Sequence, residues 1–162
     1  MFQEMLAMSN NGGGTELECL IPAMTSDSTP AGYTAYGSSA QAGSYSYYGA
    51  FSGSYTGWLP NSAGANEWVG VSLPDAKIAK KLLLFGTMGG ISSNTLKVYG
   101  SNDSGTPTNW TLIKDGITLS PSNAIQDFDL DNNTPYKAYK FELGTGYTGS
   151  GAFGMKFQLL GY

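Results

Sequence analysis

The charged side chains of these 162 residues are twelve carboxylates and eight lysines, with no histidine and no arginine. Without histidine there is no side chain that ordinarily exchanges a proton near neutral pH, and the commonest zinc ligand is missing. Without arginine there is no planar fork to grip a phosphate or carboxylate with two parallel bonds. Serine, threonine and Cys19 have no imidazole to activate them as nucleophiles. Pairs of carboxylates could in principle hydrolyse glycosides, but none carries a local signature of a raised pKa. Catalysis is not expected. The run Asp127-Phe128-Asp129-Leu130-Asp131-Asn132-Asn133 has the opening spacing of a calcium loop. An EF-hand would need Gly at its sixth position and Glu at its twelfth, where Asn132 and Ala138 stand. Strand alternation explains the run better, with Phe128 and Leu130 facing a core and the aspartates facing water.

That leaves the aromatic side chains: eleven tyrosines, seven phenylalanines and three tryptophans. An exposed Tyr or Trp can lie against the apolar C–H face of a sugar ring while nearby amides bond its hydroxyls. Charged residues are only 12% of the chain, about half the usual ~25%. Glycine and small polar residues supply the polarity instead, as many short strands with tight turns require. An acidic chain with scattered lysines has no basic stripe for nucleic acid. A single cysteine excludes an internal disulfide, and Cys19 is expected to pack as a small hydrophobe in the first strand. No apolar run approaches the ~20 residues that cross a bilayer, so membrane insertion is not expected. The opening Met1-Phe2-Gln3-Glu4 lacks the basic segment of a signal peptide, which leads one to expect synthesis in the cytoplasm without a cleaved leader.

Residues 1–14 stand apart. Met1, Phe2, Met5, Leu6 and Met8 could share one side of a short helix, and Ser9 to Gly14 reads as a hinge. This segment is either a frayed end or an arm that docks on a larger assembly. Residues 15–162 form the expected domain. A first strand is expected within 16–25 and a short one around 44–51, inside a long Ser/Gly/Tyr-rich passage. Alternating and apolar runs separated by turn signals then place strands at 67–73, 77–85, 94–100, 109–114, 124–130, 136–143 and 152–161. The Gly86 to Gly90, Ser101 to Gly105 and Gly144 to Gly151 stretches supply turn chemistry between them. The expectation is an all-β, antiparallel β-sandwich of jelly-roll type, without internal repeats.

The order of these elements carries a resemblance. Ala50-Phe51-Ser52-Gly53 is followed by Trp58, then by Trp68-Val69-Gly70-Val71-Ser72-Leu73. Tyr99-Gly100-Ser101-Asn102-Asp103 precedes Asn109-Trp110-Thr111-Leu112-Ile113, and Phe157-Gln158-Leu159-Leu160-Gly161-Tyr162 closes the chain. The series resembles the discoidin-type, galactose-binding-like domain found at the C-terminal end of coagulation factors five and eight. Related modules occur in bacterial and phage surface proteins. The resemblance implies a binding site in loops at one end of the sandwich, here about 31–40, 54–66, 87–93 and 145–153. Those loops offer Tyr36, Tyr55, Trp58, Asn61, Asn66, Tyr147 and Phe153 as ligand-binding candidates, with Tyr36 and Tyr147 foremost. Trp58 and Phe153 could instead plug the open end of the core. Trp68 and Trp110 fall inside strands and are assigned to core packing. Family members often hold a structural calcium at the Asp-Gly loop and a closing-strand Glu; Ser52 and Lys156 occupy those positions here, so no cofactor is expected.

Two functions stay open. One is a non-enzymatic adhesion module binding host cell-surface glycans, set in a phage tail or head appendage or a bacterial surface assembly. The other is a structural decoration or adaptor protein that makes protein contacts and binds no sugar. The absent cystines, the Gly/Ser/Thr/Asn-rich composition and the apolar arm suit a virion part. The expected partners are therefore a glycan and other virion or assembly proteins, the latter through residues 1–14. Homo-oligomer formation is left open.

Overall fold

The computed structural model of the chain describes residues 16–41, 45–53, 57–61, 66–87, 95–120, 124–144 and 154–162. Among these residues, nine strands build two antiparallel sheets that face each other. They are β1 (Glu18–Cys19), β2 (Thr34–Gly37), β3 (Trp68–Lys77), β4 (Ala79–Thr87), β5 (Thr95–Ser101), β6 (Thr111–Thr118), β7 (Gln126–Asp129), β8 (Tyr136–Leu143) and β9 (Gly154–Gly161). One sheet has the order β1-β9-β4-β7 and the other β2-β3-β8-β5-β6. The expected sandwich is thus observed, and the strands from β3 onward overlap the expected ones, although β3 continues to Lys77 and β6 spans Thr111–Thr118 where 109–114 was expected. The start of the chain differs. The first strand shrinks to two exposed residues, and Tyr47–Phe51 forms a 3-10 helix where a strand was expected. The short edge strand β2 was not anticipated at all. Residues 1–15, which include the arm, lie outside the described residues.

The core follows from residue parity. Val69, Val71 and Leu73 of β3, Leu96 and Val98 of β5, and Tyr139, Phe141 and Leu143 of β8 point inward. They meet Leu82 and Leu84 of β4 and Met155, Phe157 and Leu159 of β9, all buried. Phe141 and Phe157 join the two sheets, their rings stacked 4.6 Å apart at 11°. On β7 the alternation holds as read: Leu130 is buried beyond its end, while Asp127 and Asp129 face outward and clamp Lys81 at 3.0 and 3.2 Å. This places three alternating charges along an edge of the sheet. Cys19 departs from expectation. It is exposed, because Leu20 and Ile21 just after β1 are the residues that turn into the core.

The Gly100 motif is explained by packing. A Cβ on Gly100 would sit 2.3 Å from the ring of Tyr136, so only glycine lets that ring lie flat on β5. Asn102 then ties the β5–β6 turn to the start of β8, donating to Pro135 O at 3.0 Å and accepting from Lys137 N–H at 2.9 Å. The Asp103 carboxylate accepts the backbone N–H groups of Asn109 and Thr108, which hold its pKa below the usual range. These residues shape a turn.

The β3–β4 crossover hangs on one buried hydroxyl. Tyr139 donates to Lys77 O at 2.5 Å and accepts from Ala79 N–H at 3.1 Å. Burial pushes its pKa up from 10.0 to about 12. Removing the hydroxyl strands a buried donor and an acceptor, so Tyr139→Phe should cost about 1–3 kcal/mol in denaturant titrations near neutral pH. Because the folded pKa lies above the unfolded one, the Tyr139 contribution is whole below about pH 10 and is lost as pH climbs toward about 12. The variant should therefore lose less stability than the parent across that alkaline window.

Candidate functional site

The parity that fills the core also decides what faces solvent. On the outer face of the five-stranded sheet, register aligns one row across all five strands: Tyr36, Gly70, Lys140, Tyr99 and Leu112. Trp68 lies in the next row, opposite Glu142. Trp110 enters from the residue just before β6. The absence of a side chain at Gly70 matters here, since a Cβ would stand 3.0 Å from the Tyr36 ring.

These residues form one cluster. Tyr36 meets Trp68 edge to face at 6.1 Å, and Trp68 meets Trp110 at 6.4 Å. The Lys140 ammonium lies 4.1 Å from the centre of the Tyr99 ring, 5.4 Å from Trp110 and 5.7 Å from Trp68. Such an aromatic cage favours a cation electrostatically. Glu142 bonds Lys140 at 2.9 Å and accepts the Tyr99 hydroxyl at 3.2 Å, so the cage is closed by a compensating charge. Tyr36 and Ser72 share a hydrogen bond of 3.0 Å, and burial pushes the Tyr36 pKa up to about 12. The four rings are half-buried, and Leu112 beside Tyr99 is 50% exposed. The face offers broad apolar surface with fixed polar groups set into it, the chemistry a ring bearing hydroxyls requires.

The aromatic face runs into a polar rim at the end of β3. Ser38 Oγ accepts Trp68 N–H at 2.9 Å and donates to the Glu67 carboxylate, which also takes the Ser39 hydroxyl at 2.7 Å. Asn61 N–H reaches Ser39 Oγ at 3.0 Å, and Asn66, exposed with φ 70°, donates its N–H to Leu143 O.

Of the residues proposed from sequence, Tyr36, Asn61 and Asn66 come together around this corner. Trp58 does not belong with them. Its ring is 0% exposed and its Nε1 donates to Ser39 O at 2.8 Å, so it is the plug of the core and offers no stacking surface. Tyr55, Tyr147 and Phe153 lie outside the described residues. Trp68 and Trp110 correct the sequence reading: they stand on the outer face and not in the core. The signal was available for Trp68, because Val69 and Val71 claim the inward parity of β3. Trp110 had no comparable marker, since the residues following it in β6 are largely exposed.

Ser52 and Lys156, which the resemblance aligns with a calcium site, line one groove beside β9. A hydroxyl and an ammonium do not fit a divalent cation, which requires several hard, negatively charged oxygens. No group of three or more His, Cys, Asp or Glu among the described residues could hold a metal.

No family model and no curated protein matches the sequence. Solved structures do. Chitosan-binding module 2 of a chitosanase/glucanase from Paenibacillus sp. IK-5, in complex with chitotriose, is 22% identical, with 79% of this chain and 95% of that chain covered at a TM-score of 0.63. A family 32 carbohydrate-binding module from Clostridium perfringens NanJ, in complex with galactose, is 16% identical, covering 79% and 93% at 0.61. A CBM62 module from Clostridium thermocellum is 16% identical, covering 89% and 96% at 0.62. The chain has the discoidin-like, galactose-binding-like fold, a jelly-roll sandwich, that its sequence resembles.

The cage makes a specific electrostatic forecast. The Tyr99 pKa is raised by burial first and by the neighbouring Glu142 carboxylate second. Glu142→Gln should move Tyr99 ionisation back toward the ordinary tyrosine value, measured by the pH titration of its ring carbon signals in NMR. An unchanged titration would mean that the carboxylate does not sit against the ring.

Proposed function

We propose that this chain is a non-catalytic carbohydrate-binding module that receives a glycan on the outer face of its five-stranded sheet. The observation that carries this reading is the half-buried set Tyr36, Trp68, Tyr99 and Trp110, gathered around the Lys140–Glu142 pair. Structures of the same fold hold galactose and chitotriose, which supports sugar as the ligand class. A sugar ring stacked on Trp110 and Tyr36 would bury its C–H face, while the Ser38–Glu67 rim offers hydrogen bonds at its edge. The setting we propose is a phage appendage or bacterial surface assembly, with residues 1–14 as the attachment to other proteins. The low charge content and the Met-rich apolar arm support that setting.

Calorimetry with galactose, chitotriose and bacterial wall polysaccharides tests the binding reading. Trp110→Ala and Tyr36→Ala should each weaken binding at least about tenfold, equivalent to ~1.4 kcal/mol, with the far-ultraviolet circular dichroism unchanged. Tryptophan fluorescence should report binding as well, because Trp68 and Trp110 line the face while Trp58 is buried. Silence toward every glycan, with self-association or capture of assembly proteins instead, would favour the structural adaptor.

A further inference from the structure

The opposite sheet carries a second feature that the aromatic face does not use. Where β1 ends after Cys19, the edge of β9 is flanked by residues 20–24, tied to it through Leu20 N–H to Leu159 O, and by the end of the 3-10 helix. A groove of about 580 Å³ opens there, within the range of small-molecule sites. Pro22 and Ala23 form its accessible side, over core residues Ile21, Phe51 and Phe157. Lys156 lines it too, although the residue is only 4% exposed.

A charge wholly out of water is costly, and Lys156 avoids that cost by covering its stem while its ammonium keeps access to the groove. Lys156 has neither ion pair nor hydrogen bond among the described residues. Phe85 stands across from it on β4, and the segment 49–53 brings no charge. The other side-chain donors of the groove have partners. Gln158 Nε2 donates to Ile21 O at 2.9 Å and contacts Cys19 Sγ, and Ser52 Oγ donates to Gly49 O at 3.1 Å. The ammonium is therefore the one side-chain donor lining the groove that lacks a described partner. Burial alone holds its pKa below the usual lysine range, as follows when no anion stands nearby.

We infer that this groove is an anion subsite that takes a carboxylate carried on a compact body, its charge held by Lys156 and its body lying against Pro22 and Ala23. The carboxylate supplies the counter-charge that the fold withholds.

Hexanoate and glucuronate are the probes, with hexanamide as the neutral control, each titrated calorimetrically into the full chain. One or both acids should bind, the acid that binds identifying an aliphatic or a sugar source, and hexanamide should bind at least about tenfold more weakly than hexanoate or not at all. Lys156→Met should abolish acid binding without lowering the melting temperature of the unliganded protein. Trp110→Ala should leave acid binding intact, which separates this groove from the glycan face. Failure of both acids to bind, equal binding by the methionine variant, or a lowered melting temperature in that variant would overturn the inference.

Discussion

The pairing of β3 with β8 is the constraint on which both surfaces of this protein depend. Val69 opposite Phe141 and Val71 opposite Tyr139 commit one face to the core, and Gly70 opposite Lys140 and Trp68 opposite Glu142 commit the other to solvent. A slip of one residue would exchange the two sets, placing an ion pair among leucines and the core valines in water. Pairing that seats the hydrophobic interior and pairing that assembles the aromatic cage are therefore the same event. The Tyr139 hydroxyl fixes the far end of this pairing at the β3–β4 crossover, where the register shifts between Ser72 and Lys77.

Much of the architecture was legible in the sequence because it is written in period two. Trp68 to Leu73 and Tyr136 to Leu143 alternate strongly enough to place their strands, and the continuous apolar run Leu82 to Phe85 marks another. The start of the chain was harder to read. Tyr47–Phe51 carries aromatic residues suited to a strand, but it closes a tight turn that buries Gly49, Ala50 and Phe51. β2 is only four residues long and draws its order from β3, so nothing local announces it.

The candidate site was legible only in part, for a different reason. Tyr36, Trp68, Tyr99, Trp110 and Lys140 come from five separate strands or their flanks, and their adjacency is a property of sheet order that no local pattern encodes. Large aromatic residues in strands suggest interior packing, and for Trp58 beside the strands that reading was right. For Trp68 the inward places were already taken by valines. The groove beside β9 shows the same limit. Lys156 is the one charged residue of its own strand, and its isolation from the charges of β1 and β4 is visible only once the segments around it are placed.

The outermost strands have a consequence for how copies of this protein can live close together. β1 has two residues and β2 four, β7 carries Asp127 and Asp129 locked onto Lys81, and β6, the eight-residue fourth edge, carries Lys114 and Asp115 and pairs with β5 through register shifts. Short or charged margins of this kind refuse a further strand from a neighbour. Crowded molecules, as on a densely decorated surface, could thus meet through side chains without zipping their backbones into fibrils, and each would keep both broad faces available.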